Sequence, residues 1–284
     1  MLPIALRAAE ILTRLLPSRL QYALADLAGD AWHRFSPRRR RLVRANLARV
    51  TGTADAALVR QAFREHARYY LELLRVPQYD TRRVDEHVSV PDWLPLEPVF
   101  RSGPVVRVTA HLGNFEVFGQ FFAAHGLRAV APVEESEPRE LYEFLLARRG
   151  GNRGAVEAIP LAKARHRLIV ALRNGKVVAL VADRDIEGNG LRVSLFGHPT
   201  TVPAGPAALA LMTGARVVTG RSLRVGRDTF EIRGEVVDCP PTGDRRADVA
   251  TLTAAITARL ERYIRERPEQ WFGAFQPIWA DIPA

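Results

Sequence analysis

The chain has 284 residues, 47% hydrophobic and 25% charged, an ordinary globular balance that allows one large core or two small ones. Cys239 is the only cysteine, which excludes a disulfide framework and a thiolate metal cluster and fits a reducing compartment. Lys and Arg number 41 against 31 Asp and Glu, a net charge of +10, which suits an anionic partner such as nucleic acid, an anionic membrane surface or a phosphorylated ligand.

Residues 1–75 read as wholly helical. Leu6, Ala9, Leu12, Leu16 and Leu20 recur at helical spacing, while Arg7, Glu10, Arg14 and Arg19 interrupt the run. That pattern predicts amphipathic helices broken near Pro17, not the ~18 to 20 uninterrupted apolar residues of a transmembrane span. The same charges, with no small-residue cleavage site, disfavour a signal peptide. A soluble or peripheral chain is expected. Leu24, Leu27, Ala28, Ala31 and Trp32 continue the period up to a break at Ser36-Pro37. The next helix, PRRRRLVRANLARV, is strongly basic, and QAFREHARYYLELLRV follows with Phe63, Ala67, Tyr70, Leu71 and Leu74 on one face. Residues 76–104 are punctuated by five prolines, with a short strand expected near HVSV.

Beyond residue 104 the rhythm changes. PVVRVTA, LRAVAPV, AVEAIPL and KVVALVAD read as strands, each but the last followed by a helix: NFEVFGQFFAAHG, EPRELYEFLLARRG and AKARHRLIVALRNG. A polar turn, RDIEGNG, precedes LRVSLFG. PAGPAALALMTG is a helix, ARVVTGRSLRV and TFEIRGEVVD are strands that suit antiparallel pairing, and ADVATLTAAITARLERYIRERP closes the chain as a long helix. Alternating strands and helices predict an α/β fold: a central, mostly parallel mixed sheet flanked by helices. With no internal repeat, the simplest organisation is a single domain over 1–284, with a helical N-terminal cap over 1–75 and an α/β core over 76–284.

Ligands of open α/β sheets gather beyond the carboxyl ends of strands. His111 follows the first core strand, and Asp183-Arg184-Asp185 follows KVVALV. If those strands are neighbours, an imidazole and carboxylates converge at one sheet edge, where a general base and its orienting acid could work. In TAHLGNFE, His111 lies in the loop and Glu116 in the first helical turn, so Glu116 can fold back toward the ring. An isolated H-x4-E also has a plain reading, with Asn114 as a helix cap and Glu116 favoured by the helix dipole. No H-E-x-x-H metal motif and no G-x-S-x-G nucleophile elbow is present. SPRRRRLVR is either a solvated basic face or a contact with an anionic surface, of which a membrane is the better functional reading. GHPTTVPAGPAALAL places a loop before a helix N-terminus, a plain turn or an anion contact.

HLGNFE, EPRELYEFLLARR, VALVADRDIEGNGLRVSLFGHPTTVPAGPAALALMTGARVV and RPEQWFGAFQPIW occur in that order. The set resembles the lysophospholipid acyltransferase superfamily, in the branch of lipid A and phosphatidylinositol mannoside acyltransferases, over about residues 30–280. The resemblance implies transfer of a fatty acyl chain from acyl-CoA or acyl carrier protein to a membrane glycolipid hydroxyl. No cofactor or metal is implied, because the thioester is already activated. By the same resemblance His111 is the base, Glu116 its orienter and Asp183 the second acid. Arg184 belongs to the same box, Arg149 contacts the donor, and Glu134 and Asn114 are further substrate-binding positions. The interrupted N-terminal run favours the peripheral, mannoside-acylating type on the cytoplasmic face of the membrane, without a nucleic-acid partner. A single cysteine favours direct transfer over a covalent intermediate. The alternatives are a lipid A-type or other lysophospholipid acyltransferase, and a non-catalytic basic protein that binds anionic membranes.

Overall fold

The computed structural model describes residues 2–75, 78–134, 139–149 and 156–283. Four helices open the chain: α1 (Leu2–Leu15), α2 (Ser18–Phe35), α3 (Pro37–Thr51) and α4 (Ala56–Arg75). The breaks fall at Pro17 and Ser36-Pro37, as the sequence predicts. Pro37 takes the first helical position, where its missing N–H costs no hydrogen bond.

The proline-rich stretch is more ordered than its composition predicts. It holds α5 (Thr81–His87), the two-residue strand β1 (Val88–Ser89) and α6 (Trp93–Arg101). Asp80 caps α5 by accepting from Arg83 N at 2.8 Å. Pro95 lies in the first turn of α6, where backbone donors have no helical partner.

The core alternates β2 (Val105–Thr109), α7 (Glu116–Ala124), β3 (Ala129–Val133), α8 (Arg139–Arg149), β4 (Val156–Pro160), α9 (Ala164–Arg173) and β5 (Val177–Val181). Then come β6 (Leu191–Leu195), β7 (His198–Val202), α10 (Gly205–Thr213), β8 (Arg216–Gly226), β9 (Thr229–Val237) and α11 (Arg245–Glu266). The main sheet has seven strands in the order β1-β9-β8-β2-β5-β3-β4. Among the described residues only the β8–β9 pair is antiparallel within it, so the expected mostly parallel mixed α/β sheet is present. All five residues of β2 are buried, as befits a central parallel strand covered on both faces.

Three details go beyond the sequence reading or differ from it. LRVSLFG is not a core strand: β6 pairs antiparallel with β7 in a separate hairpin closed at Phe196–Gly197, two residues with positive φ. The buried face of α4 is also rotated from the predicted one. Tyr70 is exposed, and the helix buries Phe63, Tyr69 and Leu73 with the charged Glu65, Glu72 and Arg75. Ionic partners elsewhere in the fold draw those charges inward.

The third detail concerns α1 and α2. Tyr22, Ala25 and Gly29 of α2 are buried, against α4. The apolar stripe of Leu20, Leu24, Leu27, Ala31 and Phe35 faces outward instead, with Leu27 64% and Phe35 78% exposed. Ile11, Leu12 and Leu15 of α1 are exposed too. Among the described residues no helix is long and apolar enough to cross a membrane.

Candidate active site

β2 and β5 are neighbours in register, from Val105 opposite Val177 to Thr109 opposite Val181. His111 and Asp183 each lie two residues past those last paired positions, so the two loops deliver them to the same level of the sheet edge. The His111 Nδ1 lies 2.7 Å from Asp183 Oδ1, and the same oxygen accepts from the His111 backbone N–H at 3.1 Å. The second carboxylate oxygen accepts from Trp271 Nε1 at 2.7 Å.

Asp183 is 1% exposed. Burial by itself pushes its carboxyl up. The neighbouring imidazole, its ring hydrogen bond, Trp271 and the His111 backbone N–H together outweigh burial and hold the carboxyl below its ordinary range. The carboxylate is therefore anionic at neutral pH and fixes the imidazole tautomer, with the proton on Nδ1 and Nε2 open as the acceptor. The His111 side chain is 32% exposed, which leaves that edge within reach of a substrate.

The loop that carries His111 is clamped by distant backbone. Phe272 N donates to His111 O at 2.7 Å, Gly113 N to Gln270 O at 2.9 Å and Asn114 N to Ser222 O at 2.8 Å. At Gly113 φ is +61°, and a Cβ would lie 2.1 Å from Ser222 O. Only glycine fits there.

The sequence-derived site residues divide into those the fold brings together and those it employs otherwise. The carboxylate hydrogen-bonded to the His111 Nδ1 is that of Asp183, and not that of Glu116. Glu116 is 8% exposed and accepts from Tyr69 at a long 3.5 Å; its N–H donates to Asn114 Oδ1 at 3.2 Å. It lines the same cavity as His111. Asn114 is not placed for substrate contact: it is 1% exposed, and its Nδ2 donates to buried Glu72 at 2.9 Å. It braces the loop, in keeping with the capping reading. Arg184 and Glu134 form an ion pair at 2.8 Å, at the carboxyl ends of β5 and β3. Arg149 is the last residue of α8, and its side chain lies outside the described residues. Among the described residues no cluster of three or more His, Cys, Asp or Glu converges as metal ligands would.

Sequence reading did not single out Trp271 or Glu72. Trp271 stands in RPEQWFGAFQPIW, 88 residues from the carboxylate it holds. Glu72 is fully buried, accepting from Asn114, from Tyr22 at 2.8 Å and from Arg224 Nε.

His111 opens onto a cavity of about 380 Å3 between the sheet and α7. Its walls are largely apolar and include Phe115, Phe118, Ala131, Val133, Ala158 and Val181, the composition of a pocket for an apolar chain. A second cavity of about 590 Å3 lies between α9 and α10 and shares Pro132, Leu161, Leu180, Val181 and Ile186 with the first.

Residues 5–279 match the model of the bacterial lipid A biosynthesis acyltransferase family. The chain is also 30% identical over 254 residues to a phosphatidylinositol mannoside acyltransferase of Mycobacterium tuberculosis (strain CDC 1551 / Oshkosh), covering 84% of this chain and 77% of that one. It is 30% identical over 250 residues to the protein of that name from Mycolicibacterium smegmatis, covering 84% and 80%. An imidazole hydrogen-bonded to a buried carboxylate at the edge of an α/β sheet, beside an apolar cavity, suits the chemistry those names describe. The chain belongs to the bacterial lipid A biosynthesis acyltransferase family and is an acyltransferase enzyme.

Proposed function

We propose that this enzyme transfers a fatty acyl chain from acyl-CoA or an acyl carrier protein to a hydroxyl of a membrane glycolipid, a phosphatidylinositol mannoside by the names of its relatives. The observation that carries the reading is the His111–Asp183 pair, with its open ring edge facing an apolar cavity. The His111 Nε2 takes the proton of the acceptor hydroxyl as its oxygen attacks the thioester carbonyl. The tetrahedral intermediate then collapses, and the departing thiolate takes that proton back from the imidazolium. Asp183 stabilises the imidazolium throughout. Direct transfer needs no acyl-enzyme bond.

The acyl chain occupies the cavity between the sheet and α7. Glu134, which lines that cavity, and its ion-pair partner Arg184 stand at the rim as substrate contacts, and Arg149 serves the donor. Glu116 lines the reacting cavity as an acid near the base. The exposed leucines of α1 and α2, with exposed Arg14, Arg19, Arg34, Arg38 and Arg41 near them in sequence, support a peripheral seat on the anionic cytoplasmic face of the membrane.

The test is transfer of radiolabelled palmitate from palmitoyl-CoA and from palmitoyl-acyl carrier protein to phosphatidylinositol mannoside, lipid A precursors and lysophospholipids. Turnover by the folded wild-type chain, lost in His111→Ala, is expected. No transfer from either donor to any acceptor would sink the reading. Transfer to the other acceptors alone would overturn only the choice of mannoside.

A further inference from the structure

The cavity beside His111 lies over a row of small residues on one face of the sheet. Toward α9 and α10, strands β2 to β5 present Val106, Val108, Val130, Ile159, Val178 and Leu180, all packed in the larger core. Toward α7, alternate residues of β3, β4 and β5 include Ala129, Ala131, Ala158 and Ala179, flanked along their strands by Val133, Val156, Val177 and Val181, and all four alanines line the cavity. Buried parallel strands ordinarily fill both faces with Val, Ile and Leu. Here the middle of one face carries alanine instead, between valines toward the strand ends.

Register turns those alanines into a row. Arg107 of β2 is opposite Ala179 of β5, and Ala131 of β3 is opposite Ala158 of β4. Ala131 and Ala179 are each one step past the last paired residues, Val130 and Val178. The row Arg107–Ala179–Ala131–Ala158 thus crosses four strands, about 14 Å or roughly eleven extended chain bonds.

Arg107 closes the β2 end of that row. It is 3% exposed, its Nη1 donates to Val108 O at 2.7 Å and Gly220 O at 3.2 Å, and the Phe118 ring covers it at 4.5 Å. Among the described residues it makes no ion pair. Burial lowers its pKa to about 10, so it is charged at neutral pH. An alkyl chain continuing straight down β2 from His111 would pass Thr109 and meet this cation, a poor neighbour for methylenes. The way across the alanines is apolar.

We propose that the donor's acyl chain turns across the sheet, lies over Ala179, Ala131 and Ala158, and that these positions set the longest chain transferred. The proposal rests on the acyl-transfer reading above and adds the route and its limit.

The full chain carrying Ala158→Leu or Ala131→Leu is assayed with hexanoyl, decanoyl and palmitoyl donors, on coenzyme A and on acyl carrier protein. Ala158→Leu is expected to lower the palmitoyl-to-hexanoyl ratio of kcat/KM, and Ala131→Leu, nearer the base, to lower the decanoyl-to-hexanoyl ratio as well. Each methylene denied its place costs about fourfold. Should Ala131→Leu not fold, Ala131→Val with the same donors gives the reading. Unchanged ratios in folded variants overturn the route. So does an Arg107→Met variant that favours longer chains while Ala158→Leu changes nothing, since the chain would then run down β2. No turnover by the wild type with any donor overturns the acyl-transfer reading as well.

Discussion

Trp271 donates its indole N–H to Asp183 at 2.7 Å, on the carboxylate oxygen that His111 leaves free. Both residues are sealed from solvent, at 0% and 1% exposure. The indole therefore fixes the rotation of the carboxylate that in turn fixes the imidazole. Asp183→Asn keeps the shape but offers His111 the wrong hydrogen-bonding partner, and the ring loses its tautomer and its counter-charge. Acyl transfer should fall by about a thousandfold or more, with donor KM nearly unchanged. Pre-steady-state transfer at saturating donor measures this. A fall of less than tenfold would remove Asp183 from the orienting role.

Trp271→Phe keeps an aromatic ring and deletes the N–H. One oxygen of a buried carboxylate is left without its donor, a cost of about 1–3 kcal/mol in stability. The Asp183 carboxyl should rise, because a hydrogen bond that lowers it is gone. The limb of the kcat profile at which Asp183 takes up a proton should then move to higher pH. A merely structural Trp271 would lower stability and leave that limb where it is. Gly273 guards the same contact, since a Cβ there would lie 2.4 Å from Trp271 Nε1 and 2.7 Å from Asp183 Oδ2. Gly273→Ala should therefore reproduce the kinetic defect of Trp271→Phe with the indole still present.

How much of this was legible in the sequence follows from how far apart the partners lie. PVVRVTA and KVVALVAD are apolar runs of strand length, so His111 and Asp183 could be placed at strand ends from local pattern alone. Only the adjacency of β2 and β5 had to be supposed. Trp271 and Glu72 act through contacts across scores of residues, which leave no periodic trace. Periodicity also reports that a helix has two faces without saying what covers each. The leucine stripe of α2 is amphipathic as read, yet faces outward, and α4 buries charges because Arg224 and Asp228 wait opposite. α5 and α6 were hidden because both are short and proline-rich surroundings mask them.

Glu72 ties α4 to β8 and to the His111 loop at once, through Arg224 and Asn114. Arg224 is 6% exposed and also pairs with Glu65 at 2.5 Å. Glu72→Ala strands part of a buried cation and frees Asn114, so a loss of about 3–5 kcal/mol is expected. Replacing Arg224 by Met in the same chain should return part of that loss, because the orphaned charge is removed with its partner. A double-mutant cycle by urea unfolding measures the coupling. Additive losses would show that the ion pair does not hold the loop.

The outward stripe of α2 makes a surface prediction. Leu24→Glu with Leu27→Glu places two charges where an interfacial helix would bury leucines, and each leucine is worth about 1.5–3 kcal/mol of apolar burial. Flotation with phosphatidylglycerol vesicles should show at least a tenfold loss of binding. Turnover of a water-soluble donor and acceptor pair should persist, since neither residue reaches His111. Unchanged flotation would place the membrane contact elsewhere.

His66 supplies a test of pH dependence. Its ring stacks on Tyr70 at 5.2 Å and on Phe272 at 4.6 Å, meets Phe275 edge-on at 4.4 Å, and its Nδ1 is buried without a partner among the described residues. Burial first, then the charges of Arg39 and His111, pull its pKa from 6.5 down to about 3. The native state therefore refuses a proton that the unfolded chain accepts. This contribution to stability is fully present above pH 6.5 and is lost as pH falls from there toward 3, with a slope of at most about 1.4 kcal/mol per pH unit. His66→Phe keeps the aromatic stack and removes the titration. Its unfolding free energy should fall less steeply than the wild type's between pH 6.5 and 4.5, with the two curves parallel above pH 7.5. Equal slopes in the acid window would show that His66 takes up its proton in the folded state, and that its ring is not sealed by the aromatic cluster around it.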